Sequence, residues 1–93
     1  MKKVDVGSVD LEPDFKPSMK TLSRILKTMM DNGPEAKTSL SRGTNIQYTR
    51  LVKHVVWLEK RGLVKSKIES SKINVALTKD GELFASIISD SVR

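Results

Sequence analysis

The stretch Asn45–Arg61, NIQYTRLVKHVVWLEKR, decides how this chain reads. At about 100° per residue, Tyr48, Leu51, Val55 and Leu58 fall on one side of a helix, and Val52 and Val56 widen that stripe. Those side chains are expected to belong to a core. Opposite them lie Arg50, Lys53, Lys60 and Arg61, joined by Gln47, Thr49 and His54, so the same helix offers water a face of positive donors. A basic solvated face can serve solubility alone, so its meaning depends on what surrounds it.

Upstream, Ser18 follows Pro17 and is placed to cap a helix in which Met19, Leu22, Ile25, Leu26, Met29 and Met30 recur at helical spacing. That spacing assigns the methionines to a core rather than to an adaptable binding surface. Asn32-Gly33-Pro34 ends the helix, because glycine takes the left-handed terminal conformation and proline cannot continue the ladder. A short second helix is expected from about Glu35 to Arg42, with Ala36 and Leu40 inward and Gly43-Thr44-Asn45 turning into the basic helix. Two short-linked helices, the second with polar donors at its start, form the pattern of a helix-turn-helix.

Downstream, Gly62 is a natural helix terminator. Leu63–Glu69 and Ile73–Leu77 alternate and are rich in β-branched residues, and Ser70-Ser71-Lys72 separates them, which predicts a hairpin. Thr78 can cap a last helix with Asp80 and Glu82 in its first turn, favourably placed against the helix dipole. Leu83, Phe84, Ile87 and Ile88 are the expected apolar stripe of that helix, and the closing Ser-Asp-Ser-Val-Arg is expected to fray. Residues 1–17 alternate weakly through Val4, Val6, Val9 and Leu11, broken by Gly7 and two prolines, and read as a partly ordered arm. Its acids Asp10, Glu12 and Asp14 argue against it tracking phosphates. The division is therefore an arm over residues 1–17, one domain over 18–90 and a tail over 91–93.

Length and composition narrow the classes. Ninety-three residues suffice for one compact domain. With 38% hydrophobic and 30% charged residues, the composition is that of a globular protein. There are no cysteines, which excludes disulfides and thiolate metal sites. The apolar runs fall far short of the roughly 20 residues that span a bilayer, and no signal-peptide segment is present, so a cytoplasmic location is expected. The net charge of +6 is unevenly spread. Residues 1–35 carry six basic and six acidic side chains, residues 36–75 nine and two, and residues 76–93 two and three. A balanced chain with its whole excess in one stretch predicts one continuous basic surface over the basic helix and the neighbouring hairpin, the electrostatic footprint of a nucleic-acid binder.

The order is helix, helix, helix, hairpin, helix. The run KTSLSRGTNIQYTRLVKHVVWLEKRGLV, followed by a hairpin and then LTKDG, resembles the winged helix-turn-helix domains of small archaeal DNA-binding and transcription-regulator proteins. Leu58 with Gly62-Leu63-Val64 matches the step that closes the recognition helix, and Leu77, Thr78 and Gly81 match the step that opens the helix after the wing. The resemblance covers roughly residues 19–89. It implies an α+β, mostly helical fold of three helices, a β-hairpin wing and a C-terminal helix. It also implies double-stranded DNA binding, as a nucleoid-associated transcription regulator. Winged helices also serve as protein-interaction modules, and a non-specific architectural DNA-binding protein is a further alternative. Gln47 departs from the pattern, since a better capping residue often stands there.

By that resemblance, the third helix would lie in a major groove with its N-terminal half toward the bases. Arg50 can then donate bidentately to guanine, Gln47 can pair with adenine, and Thr49 can meet a base edge or a phosphate. Arg42 and Lys53 read as phosphate contacts, as does His54 on the polar side of the helix. Lys65, Lys67 and Lys72 would set the wing beside the backbone, although lysines also guard edge strands against unwanted pairing. Trp57, the only tryptophan, reads as a lid over the first helix, arm or wing rather than as a platform for an unpaired base. A single histidine without convergent partners gives no metal site, and no phosphate loop, Gly-x-Ser-x-Gly or carboxylate pair points to an enzyme or a cofactor. A homodimer reading two half-sites, through the arm and the last helix, is compatible with one recognition helix per chain. The sequence names no effector and no operator.

Overall fold

The computed structural model describes residues 14–91 as α1 (Met19–Asn32), α2 (Lys37–Thr44), α3 (Tyr48–Lys60), β1 (Val64–Glu69), β2 (Lys72–Leu77) and α4 (Lys79–Ser91). This is the winged helix-turn-helix order expected above. The expectations for the arm before Asp14 and for the last two residues lie outside the described residues.

Ser18 caps α1, its Oγ accepting the Thr21 N–H at 3.1 Å. Gly33 ends it at φ 81, with its N–H on the Met29 carbonyl. Thr21, Leu22, Ile25, Leu26 and Met29 are buried, whereas Met19 and Met30 are half exposed. The expected stripe is thus narrower by two methionines. Met19 lies past the end of the core, and Met30 stands one step round the helix from Met29.

The second helix begins two residues later than expected because Glu35 is extended. Its N–H donates to the Val75 carbonyl at 3.1 Å and its carbonyl accepts the Val75 N–H at 2.8 Å, which ties the linker to β2. At the other end Gly43 and Thr44 remain helical, and Asn45 takes the left-handed conformation at φ 59 that closes α2. The turn is therefore Asn45–Gln47 rather than Gly43–Asn45. Buried Ile46 plugs it, with its carbonyl accepting Ser41 Oγ at 2.6 Å and its N–H donating to the Ser41 carbonyl at 3.2 Å.

In α3, Leu51, Val52, His54, Val55 and Leu58 face inward. Tyr48, expected in the core, is half exposed in the first turn. Leu22, Leu26, Leu40, Leu51 and Leu58 are wholly buried, each contributing about 1.5–3 kcal/mol relative to an exposed position. Trp57, Leu63, Leu77 and Phe84 close over them.

The two strands are antiparallel, with Val64 opposite Leu77 and Glu69 opposite Lys72. Ser70 and Ser71 sit at φ 50 and 66, the paired positive values of a two-residue hairpin turn. Lys72 consequently belongs to β2 and not to the turn. The junction with α4 explains Leu-Thr-x-x-Gly physically. The Thr78 N–H donates to the Leu63 carbonyl at 3.1 Å, and Thr78 Oγ1 donates to the Gly62 carbonyl at 2.7 Å and accepts the Gly81 N–H at 3.0 Å. A Cβ on Gly81 would stand 1.9 Å from the Leu63 carbonyl oxygen, so only glycine lets the first turn of α4 approach the link between α3 and β1 so closely. Ala85 and Ile88 continue the inner face that Gly81 begins, which turns Leu83 and Ile87 outward against expectation.

Candidate nucleic-acid interface

The exposed side of α3 borders two adjoining cavities. One, of about 370 Å³, is lined by Phe15, Lys16, Ser18, Gln47, Thr49, Arg50, Lys53 and His54. The other, of about 240 Å³, is lined by Ser18, Lys20, Thr21, Arg24, Asn45, Ile46, Gln47 and Arg50. Ser18, Gln47 and Arg50 belong to both and form the ridge between them. Among the described residues, none of the lining side chains carries a negative charge.

Gln47 is the N-cap of α3 but makes no capping hydrogen bond with its side chain, which leaves the amide exposed for other partners. Thr49 and Arg50 are exposed in the first turn. Arg50 is not loose, since its Nη2 donates to Thr21 Oγ1 at 3.0 Å. Arg24 reaches across from α1 and donates to the Thr44 carbonyl at the end of α2, a cation placed against the negative end of a helix. These two bridges fix the helix-turn-helix against α1.

His54 is corrected. Expected as a surface side chain touching phosphate, it is only 3% exposed. Its Nδ1 lies 2.8 Å from the Arg50 carbonyl, and its Nε2 accepts the Ser18 N–H at 3.1 Å. That pair of partners requires the neutral ring with its proton on Nδ1. Phe15 meets the ring edge-on at 5.4 Å between centroids. Burial, with the nearby Arg50 charge, holds the imidazole below its usual pKa despite the opposing bond to the Arg50 carbonyl. The side chain therefore straps the chain entering α1 onto α3.

The other expected contacts separate. Lys53 joins Gln47, Thr49 and Arg50, while Arg42 is exposed in the last turn of α2 and lines neither cavity. Lys65 and Lys67 line a third cavity of about 390 Å³, with Met29, Met30, Pro34 and Glu82 at the far end of α1 and the start of α4. Lys67 also lies 3.8 Å from Glu69. Between them on β1, Ser66 points the other way and donates to Glu59 of α3 at 3.3 Å. The alternation of the strand thus turns these two lysines away from the recognition helix, and the expectation of one continuous basic surface over helix and wing is corrected. Lys72 stands exposed beside the hairpin turn. Trp57 packs on the core and carries the Arg61 guanidinium 4.0 Å above its ring.

Sequence reasoning missed Lys16, Lys20 and Arg24. They lie in a segment whose charges balance, and only the packing of α1 on α3 brings the positive ones to this face. Among the described residues no group of three or more His, Cys, Asp or Glu side chains gathers as a metal site, and no helix is long and apolar enough to cross a membrane.

No protein-family model matches the sequence, and no curated protein matches it. Among solved structures, the chain is similar to a MarR-family transcriptional regulator from Silicibacter pomeroyi at 27% identity and a TM-score of 0.66, over 78% of this chain and 53% of that one. It is similar to reduced AbfR bound to DNA at 20% identity and a TM-score of 0.65, over 77% of this chain and 55% of that one. With SSV1 F-93 it shares 22% identity and a TM-score of 0.68, over 85% of this chain and 89% of that one. The chain spans about half the length of the first two and most of the third. With its recognition-helix geometry and its hairpin, the chain is a winged helix-turn-helix domain of the fold found in MarR-family transcriptional regulators.

Proposed function

We propose that this protein binds double-stranded DNA as a transcription regulator, with the N-terminal half of α3 in the major groove. The observation that carries this reading is the grouping of Gln47, Thr49, Arg50 and Lys53 around two cavities that, among the described residues, hold no negative side chain, on the exposed side of the second helix of a helix-turn-helix. Arg50 has the planar fork that meets guanine bidentately, and Gln47 the amide that meets adenine, with Thr49 beside them. Lys53 and Arg42 contact phosphates and set the register. Lys72 stands directly across from Glu69 and so shares the face of Lys65 and Lys67; these three contribute only where the backbone passes the outer side of the wing, and His54 supports the interface from beneath.

One chain presents one recognition helix, so two copies reading two half-sites form the working unit. Exposed Leu83 on α4 is an apolar position for that contact, and sedimentation velocity checks it. The cytoplasm, at the nucleoid, is the location this activity requires.

Fluorescence anisotropy with a labelled duplex tests the reading. Binding should weaken linearly in log–log form with salt, with a slope of roughly −0.9 for each phosphate neutralised. Absence of binding at low salt, or recovery of one stoichiometric, nuclease-resistant acidic protein in its place, contradicts it.

A further inference from the structure

We propose that the chain entering α1 forms a second phosphate clamp, in which Lys16 and Lys20 hold the DNA backbone on either side of the Gln47–Arg50 ridge. The inference rests on the DNA-binding reading and extends it to an element outside the helix-turn-helix and the wing. Lys16 lines the cavity that holds Thr49 and Lys53, and Lys20 lines the one that holds Asn45 and Gln47. Both side chains are exposed. Asp14, the nearest acid before them in sequence, lines neither cavity.

Position and attachment support the assignment. A helix in the major groove runs between two phosphate strands, and cations beside it that meet those strands fix its position. On the wing, Lys65 and Lys67 face the opposite way, and the cations that line the two α3 cavities from outside that helix come from α1 and the segment before it. That segment is held in place. His54 accepts the Ser18 N–H from beneath, Phe15 stacks edge-on against the same ring, and Arg50 grips Thr21. Arg24, bound to the Thr44 carbonyl, anchors the same face. Two lysines mounted on so braced a segment reach a backbone with little ordering left to do, and a flexible ammonium suits a phosphate better than a base edge. The acids of the arm argued against phosphate tracking, but Lys16 is carried to the α3 side by the strap on His54.

The test uses the full chain and a labelled mixed-sequence duplex, read by anisotropy across a salt series. Lys16→Gln/Lys20→Gln should lower the magnitude of the salt slope by about 1.8, two phosphates' worth, and weaken binding equally for every duplex. Lys16→Arg/Lys20→Arg should keep the original slope, and Lys79→Gln, on α4 away from both cavities, should leave it unchanged. An unchanged slope in the Gln pair, with strong binding by the natural chain, overturns the clamp alone. An equal fall in Lys79→Gln also overturns it, by making the effect one of net charge. No binding by the natural chain overturns the clamp together with the function it rests on.

Discussion

The Arg50 guanidinium on α3 donates to Thr21 Oγ1 on α1 at 3.0 Å, so the residue proposed to read guanine is held by a neighbouring helix. Preorganisation of this kind reduces the ordering cost of a contact and fixes where the remaining N–H groups point. Arg50→Ala should relax discrimination between matched and single-base-substituted duplexes by about 1–3 kcal/mol. Thr21→Val, which removes the acceptor and keeps the volume, should relax it less and leave the salt slope alone. Dissociation constants for the paired duplexes check both. A uniform loss over all sequences in Arg50→Ala would place Arg50 on the backbone instead.

His54 makes stability depend on pH. Its pKa is lowered in the fold, chiefly by burial, from an ordinary 6.5. The unfolded chain therefore takes up the proton first. Stability is full above pH 6.5 and is lost as pH falls from there through the folded value. The protonated ring also turns a donor toward the Ser18 N–H, among Lys16, Arg50 and Lys53. Denaturant midpoints for the natural chain should fall between about pH 7.5 and about pH 5, while His54→Gln shows a shallower fall over the same window. Parallel profiles would refute the strap.

At Gly81 the obstacle to any side chain is backbone, the Leu63 carbonyl, and it cannot rotate aside. Gly81→Ala should cost stability at the upper end of the overpacking range of about 1–3 kcal/mol, measured by denaturant unfolding. Thr78→Val should also destabilise, since Thr78 Oγ1 holds both Gly62 and Gly81.

Glu35 offers a gain. Its backbone pairs with Val75, but its buried Oε1 has no hydrogen-bond partner among the described residues. Glu35→Val removes the unsatisfied oxygen and suits the extended conformation, so the unfolding midpoint should rise, by about 1 kcal/mol in stability. A fall would mean that the carboxylate is serving a contact of its own.

The fold was legible because its signals are local. Glycine and proline after α1, the period of Leu51, Val55 and Leu58, and the Leu-Thr-x-x-Gly step each act within a few residues. Boundaries moved where tertiary contacts won. Val75 drew Glu35 out of α2, and Asn45, accepting a left-handed conformation, let Gly43 and Thr44 stay helical. The candidate interface was legible only on α3. A helical wheel put His54 on the polar side, yet the arriving α1 segment buried it, and no wheel contains that segment. The wing lysines follow the strand alternation visible in the sequence, but which side of the hairpin faces α3 follows from the packing of Val64 into the core, on the same strand face as the Ser66 that meets Glu59. Lys16 and Lys20 carried no signal because nearby acids cancel them in any count along the chain.

Amide chemical-shift mapping with a bound duplex reads where DNA lies on the fold. With the duplex against the N-terminal half of α3, the largest changes fall at Gln47–Lys53 and near Lys16–Lys20, and α4 and the Met29–Pro34 stretch stay undisturbed. Changes concentrated on α4, with Gln47, Thr49 and Arg50 unmoved, would contradict that placement.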